Sequence, residues 1–327
     1  MKKFYLTLTM LCFAVTGMIY AQTINDVINL FNDAAEKTNK GEYETAISDF
    51  EELLVVAPKV GEEANDLLGK AKEQLPVLYW QIAAANLKQR KFEEAIPALE
   101  KTVELATEFN NSTSSKDRAT RTLPQVYTAV GTMKFRDKDF TGSVEMFKKA
   151  LQYDNNNTKA YLGIGLSYAE MEDEKNMVDN LEKVIQLGKA ENDEKSVETA
   201  VQKLCMYYTD LGNMEMAAVD PVEKDFTYAL EFYELALGYD PKFPDANYKL
   251  AMIYNLKFDY DKAIEHANNA LETETVDVKI AAIQLELGNA YFNIAQYKEA
   301  CEALNKAMVG EIAEMAARKK EKVPGCN

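Results

Sequence analysis

Histidine is almost missing from this chain: His266 stands alone. A His-dependent catalytic triad and a multi-His metal site are therefore excluded within one chain. No C-x-x-C pair, no H-E-x-x-H and no P-loop pattern occurs. Basic residues are also short, with 37 Lys and Arg against 53 Asp and Glu and a net charge of −16. A phosphate backbone would be repelled, so nucleic acid is not an expected partner. Fragments of other sites fail on inspection. Gly163-Ile164-Gly165 lacks the third glycine and the preceding strand of a nucleotide loop. Asp154 to Asn157 opens like a calcium loop, but Lys159 stands where glycine is required. Acidic pairs such as Glu62-Glu63 and Glu93-Glu94 follow from the abundance of acids and do not imply catalysis. The chain is read as a non-enzyme, with no cofactor and no metal.

Long apolar runs are confined to the start. Lys2 and Lys3 precede a mostly apolar stretch from Phe4 to Tyr20, and Ala21 supplies a small residue before Gln22. Residues 1–21 are therefore expected to be a cleaved signal peptide, too short and wrongly flanked for a spanning helix. Leu11 before Cys12 is not small, so no clear lipidation site is present. The protein is expected to be periplasmic or secreted, without an integral membrane span. Three cysteines then remain, an odd number. Cys205 and Cys301 are expected to be small buried packing residues. Cys326, next to last, is expected to be exposed and available for a disulfide-linked dimer.

What the chain does contain is a repeat. Gln284 to Ala307 reads as two short amphipathic helices with a break near Ala295-Gln296. Small residues at Gly288, Ala300 and Ala307 allow close helix approach, and Leu287, Tyr291, Tyr297 and Leu304 fill the space beside them. Gly288 and Ala300 are 12 apart, and the same offset separates Ala34 from Ala46, Ala83 from Ala95, Gly131 from Ser143, Gly165 from Met177, and Ala251 from Ala263. Cys205 and Ala229 are 24 apart, so that unit carries an insert. Gly212 and Pro221 are expected to interrupt the helices there. Leu287-Gly288, Tyr291, Tyr297, Ala300 and Ala307 resemble the tetratricopeptide repeat (TPR) family. Gly131 to Gly165 spans 34 residues, the length of that repeat. The usual Trp is absent from the early slot, which holds Leu30, Tyr79, Tyr127, Tyr161, Val201, Asn247 and Gln284.

The resemblance implies an all-α, right-handed solenoid of about seven helix pairs over residues 22–310. Residues 311–327 are expected to form a capping helix and tail over the last apolar face. Asn110 to Arg121, rich in Ser, Thr and Asn, reads as the clearest loop. The resemblance also implies that the first helices line a concave groove. Residues facing it lie one past the early slot and four and seven beyond that, on one helical stripe. They include Phe31, Trp80, Leu87, Phe135, Leu162, Leu166, Tyr248, Met252, Leu285 and Phe292, together with Met206, Thr209 and Asn255. The basic set that holds a terminal carboxylate in chaperone-binding relatives is missing. The apolar stripe suits a helix or an extended segment of a protein or peptide partner. An alternative is an oligosaccharide-binding accessory of outer-membrane nutrient uptake, a role that would need exposed aromatic platforms on the loops.

Overall fold

A computed structural model describes residues 23–110, 114–220 and 225–326. The expected signal peptide lies outside them. The described residues form α-helices joined by short turns, with single 3-10 turns at Glu62–Ala64 and Gly310–Ile312 and no strand. The helices come in successive pairs: α1 (Ile24–Lys40) with α2 (Tyr43–Val60), α3 (Asn65–Lys88) with α4 (Phe92–Glu108), and α5 (Ser114–Arg136) with α6 (Phe140–Tyr153). Then follow α7 (Thr158–Glu170) with α8 (Glu174–Glu191), α9 (Glu194–Ala218) with α10 (Thr227–Tyr239), α11 (Pro244–Leu256) with α12 (Tyr260–Thr273), and α13 (Asp277–Asn293) with α14 (Tyr297–Lys306). A short helix α15 (Ala313–Lys320) closes the series. The seven expected pairs are all present among the described residues, and α2 packs on α3, α6 on α7, α8 on α9, α10 on α11 and α12 on α13, as neighbouring repeats of an all-α solenoid do. The chain divides into two compact units at Val130/Gly131, inside α5.

One device recurs inside the pairs. The turn residue two positions before the second helix is left-handed at Gly41, Arg90, Lys138, Glu172, Phe258 and Ala295. The next N–H reaches back five residues to a carbonyl of the first helix, as Lys91 does to Asn86 and Gln296 to Tyr291, both at 2.9 Å. This bond satisfies a carbonyl that the helix end would leave bare, the usual helix stop. Only the first turn uses glycine. A side chain with a Cβ in this conformation costs about 1–2 kcal/mol. Ala295→Gly should therefore stabilise the protein by about 0.5–1 kcal/mol after the added unfolded-state freedom of glycine is subtracted. A raised urea midpoint would show it; an unchanged or lowered midpoint would mean that the turn carries no such strain.

The small residues do the work expected of them. Phe147 on α6, 3% exposed, has its ring between Gly131 on α5 and Gly163 on α7. A Cβ would stand 3.0 Å from the ring at Gly131 and 2.2 Å at Gly163. Gly165 meets Leu181, and Gly288 meets Leu304, in the same way. Where the early slot holds tyrosine, its hydroxyl can tie one pair to the preceding one. Tyr79 donates to Glu51 at 2.9 Å, and Tyr127 donates to Glu100. Burial first, and then Glu51, push the Tyr79 hydroxyl up to about 12. In the sixth pair the slot residue Asn247 is buried and holds His266, with Oδ1 to Nδ1 at 2.9 Å. That histidine stacks on Tyr254 and is a packing residue.

Several expectations need correction. The helix of the fifth pair is not interrupted at Gly212: α9 runs through it to Ala218. Gly212 lies against the Tyr233 ring, 2.6 Å from where a Cβ would sit, so it is there for close approach. The segment read as a loop up to Arg121 is helical from Ser114, which puts Lys116, Arg118 and Arg121 on α5. Cys326 is neither exposed nor available for a dimer link. It is buried and bonded to Cys301 within the chain, with Cα atoms 5.5 Å apart. Gly325 (φ 77°) takes the same left-handed conformation as Gly41 (φ 78°), and the tail lies back on α14. Cys205 is buried and free, as expected, and burial pushes its thiol up to about 12. The cap itself is present. Ala316 is buried, and Met315 is exposed.

Candidate functional site

All ten expected groove residues are half-buried, belonging neither to the closed core nor to the open surface. They divide between the two compact units. Phe31, Trp80 and Leu87 belong to the first unit. Phe31 meets Phe50 edge-on at 5.6 Å and packs on that unit's core. Phe135 packs on Phe140 across the turn between α5 and α6. Leu162 packs on the core formed by α8 and α9. Leu285 and Phe292 pack with Val323 and Cys326 of the tail, and Lys319 lies over the Phe292 ring. The physical reason is the disulfide, which holds the tail against the last pair.

The open part of the stripe lies in the second unit, where α9, α11 and α13 run side by side. They enclose a cleft of about 370 Å3 whose lining includes Met206, Thr209, Tyr248 and Ile283. Three expected stripe positions therefore meet here: Met206, Thr209 and Tyr248. Leu166 and Met252 do not line it. The polar lining was not anticipated: Asp210, Asn213, Asp245, Lys249, Glu274 and Lys279. Asp210 and Lys249 each directly follow a stripe residue in sequence, which is the signal that would have found them. Lys279 is held by Asp245 at 2.7 Å and by Glu274 at 3.8 Å. Asn213 accepts from the Tyr233 hydroxyl at 3.0 Å. Lys249 lies 5.7 Å from the centre of the Tyr248 ring, within reach of a cation–π contact.

A second cleft of about 220 Å3 adjoins the first and shares Met206 and Asp210 with it. Its other lining includes Glu172, Asp173, Glu174, Lys203 and Tyr207. Asp173 caps α8, and its hydrogen bonds from Asn176 hold its carboxyl below the usual range. Glu174 accepts from Tyr207 at 2.9 Å. Thr209 and Asn255 carry the two buried side-chain polar atoms without a hydrogen-bond partner among the described residues. A buried polar group of this kind is costly unless something satisfies it. Among the described residues no cluster of His, Cys, Asp and Glu is arranged to hold a metal, and no helix is long and apolar enough to cross a membrane.

Comparison with curated proteins finds no match. Among solved structures, the chain is similar to the MamA protein at 23% identity, covering 60% of this chain and 95% of that one with a TM-score of 0.34. It is similar to YrrB, described as a TPR protein with an unusual peptide-binding site, at 19% identity over 59% and 91% of the two chains, with a TM-score of 0.32. It is also similar to Pseudomonas aeruginosa PilF at 14% identity over 76% and 99%, with a TM-score of 0.35. A tetratricopeptide repeat model matches residues 158–189, 244–274 and 281–308. Those segments are the fourth, sixth and seventh helix pairs, and the other pairs repeat their turn or their small-residue spacing. Over those three segments the chain carries tetratricopeptide repeats, the repeat of a scaffold-type, protein-binding fold.

Proposed function

We propose that this chain is a non-enzymatic scaffold of the bacterial cell envelope that binds a protein or peptide segment along the first-helix face. The observation that carries this reading is the cleft between α9, α11 and α13, where expected stripe residues and convergent polar groups meet. Such a mixture of apolar floor and a few placed polar groups is what a recognition site needs. In the first unit, Trp80 and Leu87 are half-buried apolar residues of the first-helix stripe. The Cys301–Cys326 bond supports an oxidising compartment, as does the expected signal peptide.

A photo-crosslinking residue placed at Met206, in cells that naturally make the protein, tests the reading. Met206 is 47% exposed in the cleft, so a discrete protein adduct is expected there. The same residue at Asp179, exposed on α8, should give none. No adduct at Met206, or equal adducts at both positions, would overturn the proposal.

A further inference from the structure

Resting on that reading, we propose that the cleft takes an extended segment in which a basic side chain is followed by an apolar one. The basic group would meet Asp210, the apolar one would lie on Met206, Tyr248 and Ile283, and the segment's backbone would bond to Thr209. Charge supports the first contact. The two adjoining clefts are lined by Glu172, Asp173, Glu174, Asp210, Asp245 and Glu274 against Lys203, Lys249 and Lys279. Lys279 is committed to Asp245 and Glu274, whereas Asp210, at the junction of the two clefts, is in no ion pair among the described residues. An incoming ammonium or guanidinium would find a carboxylate that no lysine among the described residues pairs with, on a protein of net charge −16.

Thr209 is the independent observation. It is 4% exposed, lines the cleft, and its hydroxyl has no hydrogen-bond partner among the described residues. A helical threonine can donate to the carbonyl four residues back, as Thr38 does to Ala34 and Thr102 does to Ala98. Thr209 does not; its hydroxyl is enclosed beside the cleft, and a segment that shifts the lining on entering would satisfy it. A peptide carbonyl or N–H satisfies it without regard to sequence, which leaves selectivity to the basic and apolar side chains.

The probe is a short fluorescent peptide alternating Lys and Leu between Gly-Ser ends, followed by anisotropy against the full chain. Its counterpart carries Glu in place of Lys. The Lys peptide should bind, and the Glu peptide should bind at least about tenfold more weakly. Asp210→Lys should weaken the Lys peptide about tenfold or more. Thr209→Val, which keeps the shape and removes the hydroxyl, should weaken it about fivefold with no loss of thermal midpoint. Asp179→Lys should leave it unchanged. Equal binding of both peptides, an equal loss in Asp179→Lys, or no binding of the Lys peptide overturns the assignment. If the Met206 adduct forms while the Lys peptide fails, the assignment falls and the scaffold reading stands. If the adduct is also missing, both fall.

Discussion

Phe147→Ala should destabilise the second unit by about 3–5 kcal/mol, the usual cost of emptying a large aromatic site in a close-packed core. The ring fills a slot made by glycines on the helices of two successive pairs, so no neighbouring side chain is placed to collapse into the space. The converse change, Gly163→Val, should cost about 1–3 kcal/mol by overpacking, because its Cβ alone would stand 2.2 Å from the Phe147 ring. The two changes should not add. In the Phe147→Ala background the new side chain enters the vacated slot, and the cost of Gly163→Val should fall close to zero. Urea unfolding of the two single variants and the double variant measures the coupling directly. Additive losses would mean that the glycine and the ring do not share one space.

Breaking the Cys301–Cys326 bond should have the second largest effect. The cysteines are 25 residues apart in sequence, and closing such a loop restricts the unfolded chain by about 3 kcal/mol. Cys326→Ser should therefore lower the stability of the last pair by roughly that amount. The change should stay local, because repeats depend mainly on their neighbours. Hydrogen exchange should quicken in α15 and around Leu285 and Phe292, which the tail covers, and should be unchanged in α1 to α4. Uniform loss of protection would contradict the repeat architecture. A dimer band on non-reducing gels would contradict the intrachain pairing.

The pairing of helices is legible in the sequence because close helix approach demands a small residue at a fixed place. That demand survives as the 12-residue offset from Ala34–Ala46 to Gly288–Ala300. Gly212 misleads because the same residue type serves two purposes. Its helix-breaking tendency is worth about 1 kcal/mol and is outweighed by the approach it allows to Tyr233. The tail misleads because Pro324-Gly325 reads as a loose end, and nothing in a linear pattern reports the through-space distance from Cys326 to Cys301. In the cleft, Thr209 and Tyr248, like Met206, follow from helical spacing. Each of the first two has a polar neighbour next in sequence. Asp210, next to Thr209, and Lys249, next to Tyr248, come into play through the side-by-side placement of α9 and α11, which spacing within one helix cannot express.

The turns inside the pairs also bear on the order in which the chain folds. Of the six left-handed turn positions, only Gly41 is free of a Cβ, and α1 also begins with a reciprocal Thr23–Asp26 cap. The later turns close against a local penalty that packing on adjacent pairs must offset. The pair with the least opposition to closing is thus the one nearest the N-terminus, made before the rest of the array. It can serve as a template on which each later hairpin docks, so that folding proceeds vectorially as the chain emerges.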